Sequence, residues 1–132
     1  MRIVDYALRG IVAAILLQTL WFKFTAHPES VAIFSQLHAE PWGRVLSGII
    51  ELCAAALIIV RATVVYGALL SVGTMCAALL AHIFVIGISV RNDGGLLFLL
   101  ACAVASASTA LLILHREAAT KTVHSLLMFR RP

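Results

Sequence analysis

The sequence predicts an all-α polytopic membrane protein, a bundle of four transmembrane helices with a short interfacial helix in its first loop. Of its 132 residues, 62% are hydrophobic and 12% are charged, and the mean hydropathy is +1.04. A soluble domain of this length needs more polar residues to cover its surface. Within a bilayer only helices and closed barrels satisfy every backbone polar group. The apolar runs here are continuous rather than alternating, which favours helices.

Four apolar runs supply the predicted spans, at about residues 3–24, 44–60, 63–90 and 95–115. The first run differs from a signal peptide, because Asp5 lies in its leading segment and bulky residues from Trp21 to Phe24 stand where a cleavage site has small ones. We therefore expect this first helix to be retained. The spans together form one predicted transmembrane domain, residues 1–116, followed by a basic cytoplasmic tail, residues 117–132.

The loop after the first span predicts a short helix that lies flat in the membrane interface. Pro28 and Glu29 suit the first turn of a helix, because proline needs no amide partner there and an acidic side chain favours the helix dipole. Val31, Phe34 and Leu37 then recur at helical spacing and form an apolar face.

The Lys and Arg residues are unevenly distributed over the two sides of the predicted bundle. Four spans place both termini on one side, with the turn at Arg61. That side carries Arg2, Arg9, Arg61, Arg116, Lys121, Arg130 and Arg131, whereas the other side carries Lys23, Arg44 and Arg91. The positive-inside rule therefore predicts an inner-membrane protein with both termini in the cytoplasm. The basic residues form no stripe interleaved with aromatics, so nucleic acid is not an expected partner.

Three polar residues, one in each of the first three apolar runs, are predicted to lie in the same outer half of the bilayer. Placing an unpaired charge in a membrane costs at least about 2.5 kcal/mol, so such a group needs a partner, water or a ligand. From the helical rise, Glu51 lies about 10 Å, His82 about 13 Å and Gln18 about 7–8 Å below the same outer surface. We expect these three side chains to line one pocket.

The helical faces extend this pocket. Arg44 and Ser47 share the Glu51 face of the second span, and Trp21 shares the Gln18 face of the first. Asn92 and Asp93, in the polar turn after the third span, are expected at the rim. The predicted ligand-binding or proton-relay residues are thus Glu51, His82, Gln18, Arg44, Ser47, Trp21, Asn92 and Asp93.

A structural role fits some of the same residues. Glu51 and His82 could form a buried pair without chemistry, and the segment from Asn92 to Gly95 suits a turn with a helix cap. The sequence leaves both alternatives open and identifies no catalytic residue. No metal site is expected, because Glu51 and His82 alone are too few ligands. The three cysteines have no zinc or redox spacing and are expected in the core.

Several short motifs in this chain resemble the DoxX family of small bacterial membrane proteins. They are Trp21-Phe22-Lys23-Phe24, Gly48-x-x-Glu51-Leu52, His82 and Asn92-Asp93-Gly94-Gly95. The resemblance covers about residues 8–115 and implies a four-helix membrane bundle. Relatives are linked to thiosulfate:quinone oxidoreductase, to membrane oxidoreductase complexes and, more distantly, to eukaryotic chaperones of membrane proteins. Two departures are the absence of the paired cysteines found in related vitamin K epoxide reductase-like enzymes, and bulky Trp21-Phe22 where many members have a small residue.

Three functions agree with these features. The first is a quinone- or lipid-binding accessory subunit of a membrane redox system, in which Glu51 and His82 bind a quinone oxygen or relay a proton. The alternatives are a non-catalytic membrane chaperone or interaction protein, and a small proton-coupled transporter that uses Glu51. The expected partners are the lipid bilayer and either a membrane redox protein or further copies of this chain. Whether the protein is an enzyme stays open, as does its substrate.

Overall fold

A computed structural model describes residues 1–129 of the chain, and this part consists of helices without a strand. Its helices are α1 (Arg2–Phe24), α2 (Pro28–Gln36), α3 (Trp42–Ile59), α4 (Val64–Ala81), α5 (Leu96–Leu114) and α6 (Arg116–Met128). A short 3₁₀ turn, Arg61–Thr63, leads into α4, and a π-helical turn, His82–Ile86, continues it. Helices α1, α3, α4 and α5 are long and apolar enough to cross a membrane. The predicted set of four long helices is confirmed.

The third predicted span extends too far. Hydropathy placed its end at residue 90, but the helix ends at Gly87, which has φ +90° and ψ 162°. Residues other than glycine rarely adopt these backbone angles. Because the angles are far from helical values, the helix cannot continue through Gly87. Ile88 and Val90 keep the segment after Gly87 apolar on average, and hydropathy therefore does not detect the end of the helix.

Helix α6 replaces most of the predicted polar tail. Charged residues at its start, Arg116 and Glu117, lower the hydropathy of this segment, but a 13-residue helix forms nevertheless. Ala119 packs against the core of the bundle. Arg130 and Arg131, which contribute to the predicted basic tail, lie outside the described residues.

The four long helices form a closed square in which every neighbouring pair is antiparallel. Helix α1 packs against α3 and α5, and α4 packs against the same two helices from the opposite corner. Small residues allow close approach, most tightly at Gly67 of α4, where a Cβ atom would lie 2.6 Å from the backbone nitrogen of Ile58. A hydrogen bond of 2.9 Å between the fully buried hydroxyls of Ser71 and Ser108 joins α4 to α5.

Charged side chains fasten the end of the bundle that is far from α2. Arg9 is buried, and its Nε donates to the carbonyl oxygen of Ile58 at 2.8 Å, while its Nη2 donates to that of Ile59. These carbonyls end α3 and have no partner within the helix. Asp5 lies beside Arg9, and its Oδ1 is 2.8 Å from Nε2 of His115. This network ties α1 to α3 and α5.

The turn between α4 and α5 is organised by Asp93. Its Oδ1 accepts hydrogen bonds from the backbone N–H groups of Val90 (2.9 Å) and Gly95 (2.8 Å), and its Oδ2 accepts one from Leu97 (3.1 Å). Partial burial alone would raise the pKa of Asp93, but these hydrogen bonds outweigh it and hold the pKa below its usual value. The carboxylate therefore caps the first turn of α5.

Ionised Asp93 is expected to stabilise the fold in a pH-dependent way. Because its pKa is lower in the folded than in the unfolded protein, this stabilisation is complete above pH about 4 and is lost as the pH falls through the folded-state pKa. We expect Asp93→Asn to lower the free energy of unfolding by about 1 kcal/mol at neutral pH, because the amide nitrogen that replaces one carboxylate oxygen cannot accept a hydrogen bond and the charge is lost. Unfolding of the wild type and of Asp93→Asn in detergent, at pH 7 and at pH 3, measures the size of this difference and its dependence on pH.

Glu117→Gln is the matched control, since Glu117 is exposed and lies at the start of α6. It should change stability little at either pH. A difference between wild type and Asp93→Asn that stays constant from pH 7 to pH 3 would contradict the capping role.

Candidate functional site

A cavity of about 550 Å³ lies between the four long helices, in the half of the bundle next to α2. All four helices contribute to its wall, and α2 covers it at the end of the bundle. Most of the wall is hydrocarbon. The polar exceptions are Thr19, Lys23, Glu29, Ser30, Ser47, Glu51, Thr74 and His82. The volume lies within the range of about 300–1,000 Å³ that is typical of small-molecule sites.

Glu51 forms an ion pair with Lys23 at the cavity wall. Its Oε1 lies 2.5 Å from Lys23 Nζ, and its Oε2 lies 3.1 Å from Thr19 Oγ1. Glu51 is 3% exposed, so the carboxylate is withdrawn from solvent and is neutralised by a cation from α1. The sequence predicted that this carboxylate requires a partner, and Lys23 and Thr19 are the partners.

Lys23 is also covered from α2. The ring of Phe34 lies 5.9 Å from Nζ, in the range of a cation–π contact. An ammonium group has three N–H donors and no acceptor. Because Glu51 takes one of these donors, the others are available to water or to a molecule in the cavity.

His82 lies at the cavity wall but is not paired with Glu51. Its Nδ1 is 2.9 Å from the carbonyl oxygen of Gly87, and its ring packs edge-on against Phe98 at 5.8 Å between centroids. The side chain is positioned by the π-helical turn, which puts the imidazole and Gly87 on the same side of the chain. The alternative of a direct Glu51–His82 pair is therefore wrong for this structure.

Gln18 and Trp21 are not at the cavity, which corrects their predicted position. Both are exposed on the outer face of α1, and Trp21 is 68% exposed. The depth estimate for Gln18 says nothing about its direction around the helix axis. One residue corresponds to a rotation of about 100°, so it is Thr19 that points inward.

Three other predicted site residues do not line the cavity, and two of them have structural partners elsewhere. Arg44 is buried, but its guanidinium binds the carboxylate of Glu40 at 2.8–3.0 Å and the carbonyl oxygen of Lys23. It thus joins the start of α3 to the end of α1. Asp93 caps α5, and Asn92 is exposed in the same turn. Ser47, in contrast, lines the cavity as predicted.

Thr19 and Lys23 were missed by the sequence analysis. Lys23 was interpreted only as a charge at the end of a span, and Thr19 was not considered. A helical projection contains the relevant signal, because both residues continue the face of the core residues Val12 and Leu16. The open space was missed as well. It lies beside small residues of α4, among them Gly73, where a Cβ atom would have no other atom within 4 Å.

The cysteines also differ from their predicted position. Cys53 and Cys76 are exposed on the outside of the bundle, and Cys102 is partly buried. Within residues 1–129, no group of three His, Cys, Asp or Glu side chains is arranged to hold a metal ion.

Comparison of the chain with known protein families, with curated proteins and with solved structures finds no match. Function is therefore inferred from the geometry of the site.

Proposed function

We propose that this chain is a multi-pass inner-membrane protein that binds a quinone or another amphipathic lipid in its cavity, as an accessory subunit of a membrane redox system. The observation that carries the proposal is the cavity of about 550 Å³, with hydrocarbon walls and the Lys23–Glu51 pair. Such a site offers an apolar surface to a lipid tail and hydrogen-bonding groups to its head. The resemblance to the DoxX family supports the same function.

The outer surface of the bundle supports the membrane part of this proposal. Large apolar side chains are exposed along all four long helices, among them Ile11, Leu17, Leu46, Ile49, Leu80, Phe84 and Leu99. An apolar surface of this extent is costly in water and favourable in lipid. On this basis α2, which is exposed on one side and covers the cavity on the other, lies in the interface between lipid and water.

The distribution of charge supports an orientation with both termini in the cytoplasm. The side of α2 carries Lys23, Arg44 and Arg91, whereas the side of the termini carries more Lys and Arg residues: Arg2, Arg9, Arg61, Arg116 and Lys121 among the described residues. The positive-inside rule counts these residues and places the richer side in the cytoplasm. Labelling of single cysteines at Arg91 and at Lys121 with a membrane-impermeant reagent, in a background without the native cysteines, tests this orientation. Labelling from the cytoplasmic side at Arg91 would reverse it.

The arrangement of the cavity indicates how a ligand would lie. Lys23, Ser47 and Glu51 lie on the half of the wall next to α2, whereas Leu16, Leu69 and Val104 lie deeper in the bundle. A polar head therefore fits near α2 and an apolar portion fits toward the centre. Lys23 can donate a hydrogen bond to a carbonyl or hydroxyl oxygen of such a head.

Filling part of the cavity should weaken ligand binding. We expect wild-type protein, purified in mild detergent, to release a quinone or lipid that mass spectrometry identifies, and to bind added decylubiquinone. Gly73 is an exposed residue of α4 that lines the cavity, and there is open space at its Cβ position. Gly73→Leu adds a side chain there and should weaken decylubiquinone binding at least about tenfold, which corresponds to about 1.4 kcal/mol. Binding is measured by quenching of intrinsic fluorescence.

Gly10→Leu is the matched control, because Gly10 is exposed on α1 and also has no atom within 4 Å of its Cβ position. It should bind decylubiquinone like the wild type. If wild-type protein releases and binds neither quinone nor lipid, the proposal is wrong. A stoichiometric membrane partner without bound lipid would instead support the chaperone alternative, and proton-coupled transport that is lost in Glu51→Gln would support the transporter.

A further inference from the structure

We infer that the cavity selects a lipid-soluble molecule with a hydroxyl group at its head, and that Nε2 of His82 accepts the hydrogen bond from that hydroxyl. This inference rests on the proposed function and specifies the chemical class of the ligand. A quinol and a long-chain alcohol share the required group, whereas a quinone or an ether lacks it.

The hydrogen bond to Gly87 determines which imidazole nitrogen of His82 carries the proton. Nδ1 of His82 lies 2.9 Å from the carbonyl oxygen of Gly87. A carbonyl oxygen can only accept a hydrogen bond, so Nδ1 must carry the proton. In the neutral ring Nε2 is then an acceptor with a free lone pair.

Two hydrogen bonds between His82 and Gly87 hold the imidazole ring in this orientation. The backbone N–H of Gly87 donates to the carbonyl oxygen of His82 at 2.8 Å, which closes the π-helical turn. The side chain of His82 donates back to the carbonyl oxygen of Gly87. These two reciprocal bonds determine both the orientation of the ring and its tautomer. A hydrogen bond at one imidazole nitrogen thereby sets the role of the other nitrogen.

Nε2 of His82 has no hydrogen-bond partner among residues 1–129 and is accessible. The hydrogen bonds among residues 1–129 include one for the His82 side chain, and it involves Nδ1. In the same part of the chain every fully buried side-chain nitrogen or oxygen has a partner. Nε2 is therefore accessible, although His82 is only 5% exposed. His82 lines the cavity, and we assign its accessible nitrogen to that space.

His82 and Lys23 provide complementary hydrogen-bonding groups on the cavity wall. His82 offers an acceptor and Lys23 offers N–H donors on the wall of the same cavity. A hydroxyl group can donate a hydrogen bond to His82, and its oxygen, like any other oxygen of the ligand head, can accept one from Lys23. A quinone carbonyl satisfies Lys23 only, and leaves Nε2 without a partner. An unmade hydrogen bond at a desolvated site is what distinguishes such closely similar molecules.

Two pairs of probes test this inference with the full chain in lipid nanodiscs: dodecanol against methyl dodecyl ether, and decylubiquinol against decylubiquinone. In the wild type we expect the hydroxyl member of each pair to bind about three- to tenfold more tightly, as one hydrogen bond allows. His82→Asn keeps a donor for Gly87 but has no group at the position of Nε2, so it should bind both members of each pair equally. His82→Gln, whose amide reaches farther, should restore part of the preference.

Nitrogen-15 NMR of histidine-labelled protein provides a readout that does not depend on affinity. His82 should be in the Nδ1–H tautomer without ligand, and dodecanol should shift the Nε2 resonance whereas methyl dodecyl ether should not. The spectrum of His82→Asn identifies the His82 signals. An Nε2–H tautomer, or equal binding of alcohol and ether by the wild type, would overturn the inference and leave the proposed function intact.

The same measurements distinguish failure of the proposed function from failure of the hydroxyl selection by His82. They also distinguish a quinol from a long-chain alcohol as the source of the hydroxyl group. If none of the four probes binds, the proposed function is wrong and this inference with it. Tighter binding of decylubiquinol than of dodecanol identifies a redox lipid, whereas the reverse order identifies a lipid alcohol.

Discussion

Lys23→Met is expected to lower the free energy of unfolding by about 3–5 kcal/mol, because it leaves the carboxylate of Glu51 without its cation. Glu51 is 3% exposed, and its Oε1 lies 2.5 Å from Lys23 Nζ. Methionine retains most of the length of the lysine side chain, so the loss is mainly electrostatic. Thermal and denaturant unfolding of the protein in a mild detergent measures the effect.

A second substitution distinguishes an unpaired charge from a simple loss of packing. If the carboxylate is the cause, Lys23→Met combined with Glu51→Leu should be clearly more stable than Lys23→Met alone. Lys121→Met is the control, because Lys121 is exposed on α6, and it should not measurably change stability. Equal stability of the single and double variants would mean that the ion pair does not have the role assigned here.

Gly67→Ala is expected to destabilise the bundle by about 1–3 kcal/mol, and Gly67→Val by more, through steric overlap between α3 and α4. A Cβ atom at Gly67 would lie 2.6 Å from the backbone nitrogen of Ile58 and 2.8 Å from the carbonyl oxygen of Ala54. These are backbone atoms, so only a shift of a whole helix relieves the overlap. Unfolding in detergent, together with the recovery of folded protein in membranes, measures this effect.

The matched control for this prediction is Gly10→Ala. Gly10 lies within α1, and no atom is found within 4 Å of its Cβ position. Because alanine is favoured over glycine inside a helix by up to about 1 kcal/mol, this variant should be as stable as the wild type or slightly more stable. If Gly67→Ala behaved in the same way, the close contact between α3 and α4 would be excluded.

The ion pair affects how functional experiments on Glu51 should be interpreted. Because Glu51 holds α1 to α3 through Lys23, Glu51→Gln disturbs the fold as well as any chemistry at the site. Loss of activity in that variant therefore does not identify a catalytic carboxylate. Gly73 and His82 are better positions for testing the cavity, since neither takes part in this ion pair. Gly73→Leu and His82→Asn leave Lys23 and Glu51 unchanged.

The sequence by itself determined the helical class, the four long helices and the short helix that begins at Pro28. These features depend on local composition and on the 3.6-residue period, which are present in any one segment of the chain. The same period identified the inward face of α3, where Arg44, Glu51 and Ile58 are buried.

Only the tertiary structure decided which groups meet at the cavity. Lys23 rather than His82 is the partner of Glu51, and Thr19 rather than Gln18 points inward. A shift of one residue rotates a side chain by about 100° around the helix axis, and packing against neighbouring helices determines that rotation. A single helix shows the depth of a residue and the face to which it belongs, but the groups of other helices that this face meets depend on how the helices fit together.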